Sequence, residues 1–323
     1  MAPKQRKSTL ARNPRQGSES SSSALPIVPS HIRFHDEKAK TDFFENFQDR
    51  GVDSEYQVIL SDFADTPFPE IIQTQDWESL LEKPTRCPVM FIQEFYSNIH
   101  GIDTTVPQFV TTFRGTCIVV TSDLISEVIR VPTVAHPDYP GCECLRTVFR
   151  DDLLSHFCDK PSLWGGALNT PCLGFAKGPH FLNMVMTFDF TPLSHYNSIT
   201  DPYVRFLLSL IEGLFIEFPS HFIASIIDVY IDIATRDKLI FPSAIMRILM
   251  HFSILIPLSS LFTIMGAISV GSIWRSEAQL QSKWPHVEMI DPIASAVPPS
   301  FASTYSAPSS FVATGVTLKA IME

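Results

Sequence analysis

The sequence has few glycines and few cysteines for its length. Its 323 residues include 13 Gly and 6 Cys, which excludes a glycine-rich linker protein, a collagen, and a small secreted scaffold held together by disulfides. It also contains no P-loop, no dinucleotide-binding glycine fingerprint and no Gly-x-Ser-x-Gly nucleophile elbow. Local motifs therefore give no indication of nucleotide-dependent or serine-hydrolase chemistry.

Net positive charge is confined to the first 30 residues. Five basic side chains against Glu19 give that segment a charge of +4, which leaves −14 on the rest of a chain whose total is −10. An acidic body disfavours a broad nucleic-acid face, because phosphate binding relies on clustered Lys and Arg. The basic segment is compatible with a nucleic-acid contact, a nuclear address or an ordinary solvated tail. The candidate residues are Lys4, Arg6, Lys7, Arg12 and Arg15.

The N-terminal segment lacks an apolar region of the kind found in signal peptides. Residues 1–23 are polar and include a serine run at 20–23, so we expect no secretory signal and a reducing compartment, the nucleus or the cytoplasm. The cysteines are then expected to be free thiols, mostly buried.

The apolar pattern predicts a mainly α fold: a compact multi-helix domain with one small β-hairpin over Val106–Val120. Asp76 is predicted to cap a short helix, and one continuous apolar helical stripe is predicted over Leu145–Phe157. Prolines suited to a first helical turn predict further helices; they are Pro88, Pro179, Pro202, Pro219 and Pro242.

The predicted organisation has three parts. Residues 1–35 form a disordered, basic and serine-rich tail, residues 36–260 form the helical domain, and residues 261–323 form an apolar helix followed by a segment of low order.

Two sets of side chains have the chemistry of a metal or nucleophilic site. The first could supply thiolate and imidazole ligands to zinc, although its Cys-x-Cys and His-x-Cys spacings differ from the usual ones; it comprises His136, Cys142, Cys144, His156 and Cys158. The second crowds hydroxyl, imidazole and carboxylate groups just before a predicted helix, where caps and turns are the commoner explanation; it comprises Ser194, His195, Ser198 and Asp201.

Two acidic pairs offer ligands for a divalent cation. They are Asp151 with Asp152, and Asp228 with Asp232, which share a helix face. The alternative is that each pair belongs to a solvated helix face. No catalytic, cofactor-binding or metal-binding residue is assigned from these patterns.

A stretch over 248–274 contains no Asp, Glu, Lys or Arg and is long enough to span a bilayer. Pro257 lies within it, so two buried helices broken at that proline are the alternative.

Four blocks of residues resemble the putative plant transposon protein domain. In order, they are Phe91–Ile99, Phe113–Gly115 with Ser122–Pro132, Thr191–His195 with Ser198–Thr200 and Arg205, and Leu239–Pro242. Their order and spacing agree with the family over residues 75–260.

The resemblance implies a plant protein encoded by or derived from a transposable element, associated with retrotransposons. It brings no established catalytic mechanism and so implies no catalytic residue or cofactor. The function expected from it is a non-catalytic domain that binds protein or nucleic acid. A protein anchored in a membrane through 248–274 and a metal-dependent nucleic-acid enzyme remain as alternatives.

Overall fold

The structure is a computed structural model that describes residues 32–158, 164, 169–171, 175, 177–192, 198–232, 238–255, 267–269 and 271. Most of the predicted N-terminal tail, residues 1–31, and nearly all of the C-terminal segment lie outside the described residues.

Helices dominate the described part of the chain, which confirms the predicted mainly α class. The α-helices are α1 Glu37–Asp42, α2 Phe68–Gln75, α3 Val89–Ser97, α4 Ser122–Ile129, α5 Glu143–Arg146, α6 Arg150–Ser155, α7 Lys177–Val185, α8 Asp201–Ile211, α9 Phe218–Ile231 and α10 Pro242–His251. Two π-helical turns, Phe43–Phe47 and Met186–Phe190, continue α1 and α7. Two 3₁₀ turns occupy Leu60–Phe63 and Glu78–Leu81.

The sheet content exceeds the single predicted hairpin. The strands are β1 Gly51–Val52, β2 Ile99–Asp103, β3 Gln108–Phe113, β4 Thr116–Val120, β5 Asn169–Pro171, β6 Ser198–Thr200 and β7 Lys238–Leu239. The predicted hairpin is β3–β4, and β2 adds an antiparallel third strand beside β3. Strands β1 and β7 pair in parallel, and β5 and β6 pair antiparallel. The sequence pattern missed β2 because its register with β3 is irregular and Gly101 adopts a φ of 57° within it.

Prolines mark the helix starts as expected. Pro88 immediately precedes α3, and α8, α9 and α10 each carry a proline in the first turn. The helix predicted to start at Pro179 begins slightly earlier, because α7 starts at Lys177, two residues before that proline.

Two local predictions are wrong. Asp76 does not cap the following helix; it ends α2 with a left-handed φ of 57°, and its backbone N–H donates to the Gln73 carbonyl. The stripe over Leu145–Phe157 is not one helix, because extended backbone at Phe149 separates α5 from α6. The Phe149 side chain is 78% exposed and so does not belong to the apolar face.

The core is built around aromatic side chains that join the second half of the chain to the first. The Trp77 ring, which is 1% exposed, lies 5.1 Å from the rings of both Phe190 and Phe218 and 6.4 Å from that of Phe206. These partners come from the turn after α7, from α9 and from α8. The apolar helices thus cover one another around this tryptophan.

The segment just before α1 also belongs to the packed body. Ile32 is 7% exposed, the Arg33 N–H donates to the Glu94 carboxylate, and the His35 N–H donates to Asn98 Oδ1. The predicted 1–35 tail therefore includes residues that pack on α3.

Arg205 fastens α8 to the loop that joins α5 and α6. Its guanidinium donates to the backbone carbonyls of Leu145 and Val148 and to both carboxylate oxygens of Asp201. The arginine side chain is 21% exposed, so most of this network is shielded from water.

Replacing this arginine by a residue of similar shape without charge tests the network. We expect Arg205→Met to lower the free energy of unfolding by about 2–3 kcal/mol, because hydrogen bonds to charged groups contribute roughly that much when partly buried. Urea denaturation measures the change. The control is Arg146→Met at an exposed arginine on α5, which should change stability by less than about 0.5 kcal/mol. Equal losses in the two variants would contradict the assigned role.

Candidate functional site

The structure gives no support to the zinc interpretation. In the ranges it describes, no three His, Cys, Asp or Glu side chains come together in a way that could hold a metal ion. Cys142 is disulfide-bonded and so is not a thiolate ligand. His156 instead lies at the edge of an apolar groove between helices.

The expectation that the cysteines are free and mostly buried holds only in part. Cys87, Cys117 and Cys158 are not disulfide-bonded, and of these only Cys87 is buried. The disulfide at Cys142 contradicts the expectation at that position. Burial, with a smaller contribution from the nearby Glu55 carboxylate, raises the pKa of the Cys87 thiol, so we do not regard it as a reactive nucleophile.

The residues of the nucleophilic interpretation do not form a catalytic group among those that can be placed. Ser194 and His195 lie outside the described residues. Asp201 binds Arg205 and also pairs with Arg150 at 3.4 Å, so within the described structure its carboxylate links α8 to α6.

The acidic pairs also remain separate. Asp151 is exposed on the first turn of α6, where its Oδ1 accepts the Trp164 N–H at 2.7 Å. Asp228 lies on the exposed side of α9, and Asp232 follows the end of that helix. No third carboxylate joins either pair within the described ranges.

The basic candidates Lys4, Arg6, Lys7, Arg12 and Arg15 all lie outside the described residues. Their role in nucleic-acid binding or nuclear addressing stays a prediction.

The apolar stretch at 248–274 does not form one continuous helix where it can be followed. Helix α10 ends at His251, and Ser253 has a left-handed φ of 57°. Leu249 is fully buried in the core, and the Ile268 N–H donates to the Gln57 carbonyl at 2.8 Å. Across the described ranges, every helix is too short or too polar to traverse a bilayer.

A groove of about 670 Å³ lies between α2, α7 and the C-terminal end of α8. We call it the apolar groove. Its lining residues are Asp62, Phe63, Thr66, Pro67, Phe68, Glu70, Ile71, Thr74, His156, Gly178, Pro179, Phe181, Leu182, Leu210, Ile211, Glu212 and Gly213.

The floor of the apolar groove is built from packed aromatic and aliphatic side chains. The rings of Phe63 and Phe181 stack with centroids 3.8 Å apart, and Phe68 meets Phe181 edge-on at 4.8 Å. Leu182 and Leu210 also line the groove and are buried. These side chains are held in the core, so the floor is preformed.

The rim of the apolar groove is acidic. Asp62, Glu70 and Glu212 are exposed at its edge, and its described lining contains neither lysine nor arginine. The groove thus combines an apolar floor with three carboxylates.

A second, smaller concavity of about 240 Å³ lies between α4, α10 and the 3₁₀ turn at Glu78–Leu81. We call it the polar cavity. It is lined by Glu55, Ser79, Leu80, Glu82, Lys83, Pro84, Thr85, Ile129, Arg130, Asp189, Phe218, Phe222, Phe241, Ser243, Ala244 and Arg247.

Glu55 stabilises the start of α10 from within this cavity. Its two carboxylate oxygens accept the backbone N–H groups of Ser243 and Ala244, each at 3.0 Å. These donors are among those that a helix N-terminus leaves unpaired. Burial raises the pKa of Glu55 to about 7, although the N–H bonds offset part of that rise.

Asp189 is the second buried acid of the polar cavity. Its Oδ1 accepts the Tyr56 N–H at 2.7 Å, whereas its Oδ2 is buried with no hydrogen-bond partner among the described residues. The residue is 3% exposed. Burial raises the pKa of Asp189 well above its ordinary value, and the nearby Glu55 charge adds to the rise.

The sequence analysis missed this acid pair. Glu55 and Asp189 are far apart in the chain and belong to no motif. The available signal was Asp189 itself, a carboxylate between Phe188 and Phe190.

A comparison with protein families over the central part of the chain identifies the family to which the chain belongs. A model of the putative plant retrotransposon-related domain matches residues 73–254. The chain belongs to this family. The match confirms the resemblance inferred over 75–260 and makes the chain a transposable-element-derived protein. Comparisons with curated proteins and with solved structures give no significant match.

The retrotransposon-related domain runs from the end of α2 to just beyond α10, and the blocks that carry the resemblance contact one another within it. The Arg114 guanidinium lies over the Phe91 ring at 4.2 Å. The Tyr96 hydroxyl donates to the Ile240 carbonyl at 3.3 Å. These blocks stabilise the fold of the domain, and their described contacts form no reaction centre.

Proposed function

We propose that this retrotransposon-related domain is a non-catalytic protein-interaction module. Its apolar groove binds an amphipathic helix that carries basic residues beside its apolar face. The observation that supports this proposal is the combination of a stacked aromatic floor with an acidic rim in one groove.

The shape and composition of the floor suit an apolar helix face. A volume of about 670 Å³ falls within the range of roughly 300–1,000 Å³ typical of preformed ligand sites. Grooves between helices accept amphipathic helices through apolar side chains spaced at i, i+3, i+4 and i+7. Burial of that apolar face is expected to supply most of the affinity.

The charge of the rim selects the partner. Three carboxylates, Asp62, Glu70 and Glu212, favour a segment with Lys or Arg beside its apolar residues. The same charge disfavours a phosphate backbone, as does the charge of −14 outside the first 30 residues. A protein partner therefore fits the described surface better than a nucleic acid does.

Fluorescence anisotropy with a labelled synthetic peptide tests the proposal. The probe is a Leu- and Lys-containing amphipathic helix, and we expect Glu70→Lys with Glu212→Lys to weaken its binding by about three- to tenfold. The loss should shrink at high salt, because ionic strength screens exposed charges. The matched control is Glu127→Lys, at an exposed acid on α4 outside the groove, which should bind as the unmodified protein does.

Two further measurements separate the contribution of the groove floor to peptide affinity from that of the rim. Ile71→Asp places a charge on the floor and should weaken the same peptide more than the rim variant does. A peptide with Glu in place of Lys should bind less well than the basic one. Equal affinity of both peptides, or equal affinity of all the variants, would contradict the proposal.

A further inference from the structure

We propose that the polar cavity binds a small polyol phosphate, with its phosphate held at the mouth by Arg247 and Lys83 and a hydroxyl bound by Asp189. This site is independent of the apolar groove, since the two share no lining residue.

Arg247 is the first reason to place an anion at the mouth. The side chain is half-buried and lines the cavity, yet it makes no hydrogen bond or ion pair with the described residues. Burial is the main reason that the pKa of Arg247 is lowered; the neighbouring Arg130 adds to the fall, and the Glu82 and Glu55 carboxylates offset part of it. A partly desolvated guanidinium that makes no hydrogen bond within the described structure is unfavourable, and a bound anion would relieve that cost.

The mouth as a whole is cationic in an otherwise acidic body. Its less buried lining residues include the cations Lys83, Arg130 and Arg247 and the Glu82 carboxylate, which pairs with Arg130. These four side chains leave a net charge of +2 at the mouth. The Glu55 and Asp189 carboxyl groups of the same cavity are buried. Adjacent lysine and arginine groups with this net charge match a phosphate dianion better than a single carboxylate.

The inner end of the cavity offers a hydrogen bond to an uncharged group. Asp189 Oδ2 lacks a partner within the described structure, while its Oδ1 is already used by the Tyr56 N–H. The Ser79 hydroxyl is not that partner, because it donates to the Ile129 and Arg130 carbonyls. A ligand hydroxyl can supply the missing hydrogen bond to Oδ2 whether Asp189 is charged or neutral, since a hydroxyl both donates and accepts.

The volume limits the size of the ligand. About 240 Å³ is below the usual range of roughly 300–1,000 Å³ for sites that hold drug-sized molecules. It fits a small molecule, and the unpartnered Asp189 Oδ2 favours a hydroxyl on it, so we place a short polyol on the phosphate.

Isothermal titration calorimetry with three probes tests the site. We expect glycerol 3-phosphate to bind more tightly than inorganic phosphate, and glycerol to bind least. Arg247→Met and Lys83→Met should each weaken glycerol 3-phosphate binding at least tenfold. Arg86→Met, at an exposed arginine outside the cavity, should leave it unchanged. Circular dichroism shows whether each variant is folded. If Arg247→Met does not fold, the affinity of Lys83→Met for glycerol 3-phosphate tests the anion contact.

The proposed hydrogen bond between Asp189 and the ligand hydroxyl is tested by a separate comparison of affinities. Asp189→Ala should remove the preference for glycerol 3-phosphate over inorganic phosphate, whereas Asp189→Asn, which keeps a donor at that position, should retain it. The proposal is overturned if no probe binds the unmodified protein at millimolar concentration. It is also overturned if Arg247→Met and Lys83→Met bind as Arg86→Met does.

Discussion

Replacing Trp77 by alanine is expected to lower the free energy of unfolding by about 3–5 kcal/mol, the usual range for a buried aromatic residue. Its ring contacts Phe190, Phe206 and Phe218, which belong to three different elements. Removal leaves a cavity where these elements meet, and the surrounding helices can fill it only in part. Urea denaturation followed by circular dichroism measures the loss.

The control for this change is an aromatic residue at the surface. Phe149→Ala removes a side chain that is 78% exposed, so we expect its effect to stay within about 0.5 kcal/mol. A Trp77→Ala protein as stable as Phe149→Ala would show that the helices do not close around the tryptophan as described.

Stability is expected to fall as the pH rises from about 5 to 8. Burial is the main reason that the pKa of Glu55 and the pKa of Glu94 are each raised to about 7, and that the pKa of Asp189 is raised well above its ordinary value. Above the unfolded-state pKa the unfolded chain releases these protons while the folded chain keeps them, so folding becomes less favourable with rising pH. For Glu55, a shift from 4.5 to about 7 corresponds to on the order of 3 kcal/mol.

The buried His221 has the opposite effect on the pH dependence of stability, but three buried acids act against it. Burial lowers the pKa of His221 from 6.5 to about 4, so its contribution to stability is lost as the pH falls through that window. Three acids oppose this one histidine between pH 5 and 6.5, and above pH 6.5 only the acids contribute. The net profile should therefore decline towards pH 8.

The variant Asp189→Asn isolates one of these acids. The amide oxygen can still accept the Tyr56 N–H, and the ionisable proton is gone. We expect this variant to be more stable than the unmodified protein at pH 8 and to differ little from it at pH 4. Thermal denaturation across this pH range measures the difference.

The exposed Asp65 provides the matched control. Asp65→Asn should leave the shape of the pH profile unchanged. If Asp189→Asn lowered stability equally at both pH values, the carboxyl would be an ordinary hydrogen-bonding group with no elevated pKa.

Much of the helical framework follows from short-range rules. Proline has no N–H to lose in a first turn, so Pro202, Pro219 and Pro242 locate the starts of α8, α9 and α10 to within a residue. The break at Phe149 has no such signal, because no proline or glycine marks it and the apolar spacing continues across it. That break depends on tertiary contacts, among them those of Arg205 with the carbonyls of Leu145 and Val148.

The candidate sites were less predictable than the helices. The apolar groove joins α2 to α7 and α8, and the polar cavity joins Glu55 to Asp189, so both require contacts between segments distant in the chain. Some side chains that the sequence suggested as catalytic groups form salt bridges instead. Asp201, for example, pairs with Arg150 and Arg205 and so holds neighbouring helices together. A local pattern of polar residues does not show whether those residues form salt bridges or bind a ligand.

Hydrogen exchange measured by mass spectrometry, with and without the basic amphipathic peptide, tests the interaction function most directly. We expect the peptide to slow exchange in α2, α7 and the C-terminal turn of α8, the elements that line the apolar groove. Exchange in α4 and in the sheet of β2, β3 and β4 should not change. Protection spread evenly over the domain, or protection absent from α2 and α8, would contradict the proposed interaction module.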